Sequence, residues 1–186
     1  MTHADPSQTL RPLRRVRQVR LFTDQPVDDA QLDAIVDVGR WSGSSRNGQP
    51  WRFIAVRDVS LVRAIGAMDL PHSRALTSAT AAVVVVMPTG GEASQSNAYD
   101  EGRASERMLI ATGELGLAGG LLWVSPAGRV AVNEALGIPP GWTARSVLAI
   151  GHPAPEALAP KNPPGQARLS RSRTVSVDRW SDEQAG

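Results

Sequence analysis

The order of apolar and polar positions along the chain predicts four strands. The longest apolar run, residues 81–87, has no polar alternation, so both of its faces should be buried in the centre of a sheet. Shorter strand patterns cover residues 53–57, 121–124 and 145–151. Residues 174–177 alternate polar and apolar side chains, which is typical of an edge strand. The pattern therefore predicts a sheet of four strands with one further candidate strand near the end of the chain.

Helical spacing of apolar residues predicts helices between these strands. Asp28 and Gln31 have the spacing of an N-cap and its capping-box partner, and the helix that follows should end at Trp41. Gly137 should end another helix, because glycine tolerates the left-handed conformation of a C-cap. The remaining helices are predicted within residues 11–20, after a cap at Asp58 or Ser60 through Ala67, at residues 98–115 after an Asn97 cap, and at residues 129–136.

The C-terminal segment differs from the rest of the chain in its proline content. Residues 152–164 contain five prolines, which favour an extended chain over a helix. Such a segment is either a disordered tail or an arm that lies on a partner, and the strand pattern of residues 174–177 favours the arm. We expect a single domain over residues 1–186 with an extended arm at about residues 152–186.

Composition and charge narrow the class of protein. The chain has 186 residues, of which 41% are hydrophobic, enough to build the core of one domain. Its 20 basic residues nearly balance 18 acidic ones and lack an aromatic stacking platform, which argues against binding to nucleic acid. Lys161 is the only lysine, so arginine side chains are the groups available to bind a phosphate. The absence of cysteine excludes disulfides, thiol nucleophiles and cysteine-ligated metals.

Sequence signals of several other protein classes are missing. The chain has no G-x-G-x-x-G after a strand, no Walker loop, no G-x-S-x-G and no H-E-x-x-H. Its histidines, His3, His72 and His152, are far apart, and no carboxylate cluster has ligand spacing, so we expect no metal site. Residues 1–9 lack the apolar core of a signal peptide, and residues 79–88 are too short to span a bilayer, so we expect a cytoplasmic protein.

The densest group of polar side chains lies in residues 41–50, WSGSSRNGQP, which we call the polar loop. Ser44, Ser45, Asn47 and Gln49 can donate and accept hydrogen bonds in several directions, which suits a flat ring rich in heteroatoms better than an ion. In an ordinary polar loop, the same side chains would bond to their own backbone. Both interpretations are open for these residues taken alone.

A second group of candidate residues is residues 11–20, which we call the arginine segment. It contains five arginines within ten positions, a density that suggests an anion nearby: Arg11, Arg14, Arg15, Arg17 and Arg20. The segment is either a solvated basic face or a clamp for a phosphate, whose oxygens match the paired donors of a guanidinium group.

Together, the arginine segment and the polar loop resemble two motifs of the nitroreductase family of flavin enzymes. In that family, an R-S-x-R-x-F segment is followed after one helix by A-P-S-x-x-N-x-Q-P-W-x-F, and residues 17–22 and 41–53 have this order and spacing. The resemblance continues at residues 100–104, 115–117 and 147–153. The chain is therefore similar to nitroreductases over roughly residues 14–180.

The resemblance implies a fold and a cofactor. The implied fold is α+β, with a mostly antiparallel central sheet of four strands wrapped by helices and a fifth strand donated by the C-terminal arm of a partner. The implied cofactor is FMN, bound at the interface of a homodimer. The residues at the family's cofactor-binding positions are Arg17, Gln18, Arg20, Ser44, Ser45, Asn47, Gln49, Trp123 and Arg168.

The resemblance also implies a role for each part of this set. Arg17, Arg20 and Arg168 would hold the FMN phosphate, and the polar loop would bond the ring and the ribityl chain. Trp123 would form a wall of the flavin pocket, or it is a residue of the plain core. Three positions depart from the family pattern: Gln18 replaces a serine, Gly43 replaces a proline, and Arg107 replaces an asparagine of the long helix.

The implied activity is that of an FMN-dependent oxidoreductase. NADH or NADPH would reduce the flavin, and a nitroaromatic, a quinone or a similar small acceptor would reoxidise it in a ping-pong cycle. No side chain is identified as an acid or a base, and substrate contacts are expected from residues 69–78 and 89–96. Two alternatives are a dehydrogenase or deazaflavin-dependent enzyme of the same fold that acts on a specific metabolite, and a flavin-binding or storage protein with little turnover.

Overall fold

In the computed structural model, the described residues are 5–68, 70–90, 94–160, 162–163, 166 and 168–180. The helices in this part of the chain are α1 (Pro6–Thr9), α2 (Arg11–Arg15), α3 (Asp29–Arg40), α4 (Val59–Ala67), α5 (Ser94–Glu114) and α6 (Arg129–Leu136). The strands are β1 (Arg52–Val56), β2 (Ala81–Pro88), β3 (Ala118–Trp123) and β4 (Trp142–Gly151). Short 3-10 helices cover Ser45–Asn47, Ser73–Thr77, Pro155–Leu158 and Arg171–Arg173.

The four strands form one antiparallel sheet in the order β1-β2-β4-β3. Successive side chains of β2 point to opposite faces of this sheet. Val84 belongs to a core cluster with Val62 of α4 and Val132 of α6. Val83 belongs to a second cluster, which includes residues of α3 and α5. The prediction of a central strand buried on both faces is confirmed, and so is the α+β fold with helices around a four-stranded antiparallel sheet.

Local sequence signals determine the ends of two helices, as predicted. Asp28 is the N-cap of α3, and its amide donates to Oε1 of Gln31 at 3.3 Å. At the other end of this helix, Trp41 is the C-cap. Helix α6 stops at Gly137, whose φ of 63° is left-handed. In each case, interactions within a few residues decide where the helix begins or ends.

Strand β3 begins earlier than predicted, at Ala118 rather than at residue 121. The strand therefore includes Gly119 and Gly120, although glycine usually weakens a strand. A Cβ atom at Gly120 would lie 2.3 Å from the carbonyl oxygen of Val19, so a side chain there would collide with a neighbouring backbone. The close approach of the chain at Val19 explains why glycine is compatible with this strand. Strand β4 also begins earlier, at Trp142 rather than at residue 145.

Helix α5 begins at Ser94, four residues before the predicted start. Asn97 is therefore a buried residue within the helix and not its N-cap, which corrects the prediction. Ala104 and Met108 of this helix are fully buried, whereas Leu115, the residue after its end, is exposed. Although α5 has 21 residues, no helix in the described part of the chain is long and apolar enough to cross a membrane.

The C-terminal segment is only partly as predicted. A 3-10 turn covers Pro155–Leu158 within the stretch expected to be extended, and Pro164 lies outside the described residues. Residues 174–177 form no strand in this chain, and the side chains of Val177 and Trp180 are exposed. A strand there would need a neighbouring strand to pair with, so the donation of this arm to a partner stays a prediction.

Candidate functional site

The arginine segment is attached to the outer edge of β3. Gln18 forms a parallel bridge with Gly119, and the Val19 amide donates to the Gly119 carbonyl at 2.9 Å. The side chain of Gln18 adds a further contact, because its Oε1 accepts from the Leu121 amide at 2.7 Å. Residues 18 and 19 therefore continue the sheet beyond its last strand, and Arg17 and Arg20 flank this attachment.

Arg17 is used in part to hold the beginning of the C-terminal segment. Its Nη2 donates to the carbonyl oxygens of Ala157 and Leu158 at 3.2 and 2.8 Å. Its neighbour Arg15 forms an ion pair with Glu114 at 2.7 Å, at the C-terminal end of α5. Arg17 therefore joins the arginine segment to residues 157–158, and only its remaining donors are available to a ligand.

Arg20 lines a pocket of about 310 Å³ together with Leu21, His72, Arg74 and Ala157. The guanidinium groups of Arg20 and Arg74 form no ion pair or hydrogen bond with other described residues. Since none of the described lining residues is acidic, these two guanidinium groups create a positive potential that favours an anion.

The sequence placed His72 and Arg74 in residues 69–78, a loop expected to contact substrate, but did not connect them with Arg20. They lie in the turn before β2, and only the folded chain brings that turn beside Arg20. His72 has a φ of 64°, a left-handed conformation that few residues other than glycine and asparagine adopt readily. Three basic side chains in two distant segments have no characteristic spacing, so their proximity could not be predicted from the sequence.

The polar loop makes several hydrogen bonds to its own backbone. Ser44 Oγ accepts from the Gln49 amide at 2.9 Å, and Gln49 Nε2 donates to the Asn47 carbonyl at 3.3 Å. The side chains of Ser45 and Asn47 form no hydrogen bond within the described part of the chain. The loop therefore combines self-bonded side chains with donors and acceptors that remain available.

Three residues of the polar loop other than glycine have left-handed backbones. The φ angles of Arg46, Asn47 and Gln49 are 52°, 55° and 45°. Asparagine tolerates this region, but arginine and glutamine are destabilised there by roughly 1–2 kcal/mol each. Strained backbone of this kind persists only where contacts with the rest of the structure hold it, and it concentrates at functional sites.

Trp123 ends β3, and 51% of its surface is exposed, so the interpretation of this residue as plain core is wrong. Its partner in β4 is Ser146, whose hydroxyl donates to Oε1 of the buried Glu101. Oε2 of Glu101 lies 3.2 Å from Arg145. Burial, followed by the nearby charge of Arg145, lowers the pKa of Arg129. The charged residues Glu101, Arg145 and Arg129 therefore lie close to Ser146, the strand partner of the exposed Trp123.

The structure does not bring all the predicted site residues together. The polar loop precedes β1 at one edge of the sheet, whereas the arginine segment lies beyond β3 at the other. Four strand spacings, about 19 Å, separate β1 from the arginine segment attached beyond β3. Helix α5 gives a second measure, because Asp100 contacts the loop and Glu114 contacts the arginine segment. Fourteen residues of helix correspond to about 21 Å.

Other predicted site residues lie at the periphery of the described structure. Arg168 is exposed in the C-terminal segment, shortly before the 3-10 turn Arg171–Arg173. Asp69 and residues 91–93, which belong to the loops expected to contact substrate, lie outside the described residues.

Comparison with known proteins connects these features to one family. The model of the nitroreductase family matches residues 13–78, a range that contains the end of the arginine segment and the whole polar loop. This chain is therefore similar to the nitroreductase family over the region that holds both motifs. The resemblance inferred from residues 17–22 and 41–53 is confirmed.

Individual relatives extend this similarity over most of the chain. A protein of Archaeoglobus fulgidus, provisionally named NADH dehydrogenase/NAD(P)H nitroreductase, is 29% identical over 146 residues, or 75% of this chain and 82% of the relative. A crystal structure of a protein with the same provisional name from Parabacteroides distasonis has a TM-score of 0.75 and 25% identity, and covers 93% of this chain and 99% of its own.

A third relative was crystallised with a flavin. This provisionally named nitroreductase from Desulfovibrio desulfuricans is in complex with FMN; its TM-score is 0.71 at 24% identity, over 90% of this chain and 97% of its own. At this level of identity, the similarity demonstrates a shared fold. The nitroreductase-like fold predicted for this chain is thus confirmed by its solved neighbours.

Proposed function

We propose that this protein is an FMN-dependent oxidoreductase that uses NADH or NADPH to reduce a nitroaromatic, a quinone or a similar small acceptor. The observation that carries the proposal is the pocket at Arg20 and Arg74, where the described lining residues offer two guanidinium groups and no carboxylate. Such a donor set suits an anion of the kind that a flavin mononucleotide carries. The match of residues 13–78 to the nitroreductase family and the provisional names of the relatives support the same assignment.

The chemistry of the other candidate residues fits FMN. At the arginine end, Arg17, Gln18, Arg20 and Arg168 would hold the phosphate and the adjoining atoms. At the loop end, Ser44, Ser45, Asn47 and Gln49 would bond the polar edge of the ring and the ribityl chain, for which Ser45 and Asn47 still have unused donors and acceptors. The half-exposed Trp123 would cover part of the apolar face of the ring.

When bound, FMN would take a hydride from the nicotinamide and pass two electrons to the acceptor. The protein's own part would be to bind and orient the reactants. The sequence lacks a G-x-G-x-x-G fingerprint, which is consistent with a nicotinamide that binds only transiently, in turn with the acceptor.

We further propose that the site lies at the interface of a homodimer. The arginine segment contacts the C-terminal end of α5, whereas the polar loop contacts the middle of this helix from Asp100 to Arg107, so the two motifs lie apart within a single chain. A two-fold axis places one end of a subunit beside the other end of its partner, which would bring the two motifs to one flavin. The C-terminal arm would then lie on the partner, where residues 174–177 could add a strand.

The test is the visible spectrum of the purified protein after incubation with FMN and gel filtration. We expect a flavin band that co-elutes with a species of dimer mass and bleaches on addition of NADH or NADPH. A nitroaromatic or a quinone should then restore the band. Loss of the flavin during gel filtration would contradict the proposed cofactor.

Two other outcomes would point to the alternative functions. Flavin that is retained but not bleached by either nicotinamide would indicate a deazaflavin-dependent or metabolite-specific enzyme of the same fold. Flavin that is bleached but never reoxidised by added acceptors would indicate a binding or storage protein.

A further inference from the structure

The polar loop cannot hold its own conformation through internal contacts alone. Arg46, Asn47 and Gln49 all have positive φ angles, and the hydrogen bonds within the loop join residues 44–49 to one another only. An unsupported loop would exchange these strained backbones for more favourable ones. Contacts from outside the loop must therefore hold it in place.

Most of those contacts come from three charged residues on one face of α5; Arg52 of β1 adds another, since its Nη1 donates to the Gln49 carbonyl at 3.3 Å. The Ser45 amide donates to Oδ2 of Asp100 at 3.0 Å. Nη1 of Arg103 donates to the Gly43 carbonyl at 3.1 Å, and Nη1 of Arg107 donates to the Trp41 carbonyl at 3.2 Å. Spacings of three and four residues place these side chains on successive turns of one helix face. Each of the three side chains holds a different backbone group of the loop.

Asp100 is the centre of this arrangement. Its side chain is only 4% exposed, and its Oδ1 lies 3.4 Å from Nη1 of Arg103. A carboxylate this deeply buried is tolerated only when it is paired or hydrogen-bonded. The Ser45 amide and Arg103 are the partners that satisfy it, so the burial of Asp100 and the conformation of the loop depend on each other.

We infer that Asp100, Arg103 and Arg107 form a clamp that positions the polar loop, with Asp100 as its main positioning residue. The inference rests on the proposed function, because the clamp would hold the loop in the conformation that binds FMN. None of the three residues is itself assigned to contact the flavin. Arg107 holds the position at which the family has an asparagine. In this chain the longer side chain reaches across to the loop backbone at Trp41.

Limited proteolysis tests the clamp without any flavin. Trypsin cleaves after arginine, and the bond between Arg46 and Asn47 lies in the exposed tip of the loop. Cleavage of a folded protein at an internal bond requires local opening. We expect Asp100→Ala to speed cleavage at this bond by about fivefold or more, because the Ser45 amide and Arg103 lose their buried partner. Mass spectrometry of the fragments measures the rate.

Asp100→Asn provides the conservative comparison. The asparagine oxygen can still accept from the Ser45 amide, so we expect an intermediate rate of cleavage. Asp24→Asn is the matched control, since it also breaks a carboxylate–arginine pair, at 3.0 Å with Arg63, but away from the loop. Cleavage after Arg145, in the central part of β4, reports global unfolding in every variant. An unchanged ratio of the rates at Arg46 and Arg145 in Asp100→Ala would overturn the clamp.

FMN affinity provides the second readout. The clamp predicts that Asp100→Ala weakens FMN binding, that Asp100→Asn restores part of it, and that Asp24→Asn leaves it unchanged. If wild-type protein binds no FMN, the proposed function fails while proteolysis still decides the clamp. If FMN affinity falls in Asp100→Ala but the cleavage ratio does not change, the clamp is wrong and the proposed cofactor stands.

Discussion

Oε1 of Gln18 accepts a hydrogen bond from the Leu121 amide at 2.7 Å, across 103 positions of the sequence. This contact occupies the position at which the family motif has a serine, whose shorter side chain would not span the same gap. The departure from the motif therefore has a structural role: it fastens the arginine segment to the outer edge of β3.

Gln18→Ala should lower both stability and cofactor retention. The substitution leaves the Leu121 amide without its partner at the sheet edge, which costs about 1 kcal/mol. It also frees residues 17–20 to move, so FMN affinity should fall by more than the loss of one contact implies. Urea denaturation and flavin titration measure the two effects. A variant with full FMN affinity would show that the segment keeps its place without Gln18.

Gly120→Ala should separate the arginine segment from the sheet. The new Cβ atom would lie 2.3 Å from the Val19 carbonyl oxygen. This oxygen belongs to the backbone, so it cannot relieve the clash by a change of side-chain rotamer. We expect the free energy of unfolding to fall by about 2 kcal/mol. Gly102→Ala is the control, since nothing lies within 4 Å of a Cβ atom there, and in mid-helix it should stabilise the protein by about 0.5–1 kcal/mol. Equal effects of the two substitutions in urea denaturation would contradict this close approach.

Arg20→Gln and Arg74→Gln should each weaken FMN binding. Each substitution removes one of the two guanidinium groups that the described lining residues give to this pocket. A hydrogen bond to a charged group contributes about 1.5–3 kcal/mol, so we expect at least a tenfold rise in the dissociation constant. Fluorescence titration with FMN measures it. Arg63→Gln, which alters a surface pair with Asp24, should have no effect; an equal loss in this control would point to general charge rather than to the pocket.

Protonation of Asp58 should lower the stability of the protein in acid. Hydrogen bonds from the hydroxyl and the amide of Ser60 lower the pKa of this N-cap carboxyl group below its ordinary value of 3.8. The ionised cap therefore stabilises α4 above that pH, and the contribution is lost as the pH falls through the lowered pKa. Urea denaturation between about pH 5 and 3 should show a smaller loss for Asp58→Asn than for the wild type. Identical profiles would argue against this contribution.

The parts of the fold that were predicted correctly depend on neighbours in sequence. The Asp28–Gln31 cap, the stop at Gly137 and the unbroken apolar run of β2 all act within a few residues. The motif residues of the site were recognised for the same reason, since their spacing along the chain is itself the signal.

The parts that were missed depend on contacts between distant segments. Gly120 disfavours a strand until Val19 is placed against it. Arg74 is connected with Arg20 only when the turn before β2 lies beside it. Spacing along the chain also carries no sign that the polar loop contacts the middle of α5 and the arginine segment its C-terminal end.

The most direct test of the central claim is to combine two defective chains. Arg20→Gln/Arg74→Gln removes the arginine end of the site, and Ser45→Ala/Asn47→Gly removes the loop side chains while glycine keeps the left-handed backbone possible. Each variant alone should retain little FMN. If each site uses the arginine end of one subunit and the loop of the other, co-expression with random pairing should restore about a quarter of wild-type FMN binding. No recovery in the co-expressed dimers would contradict a flavin site shared between two chains.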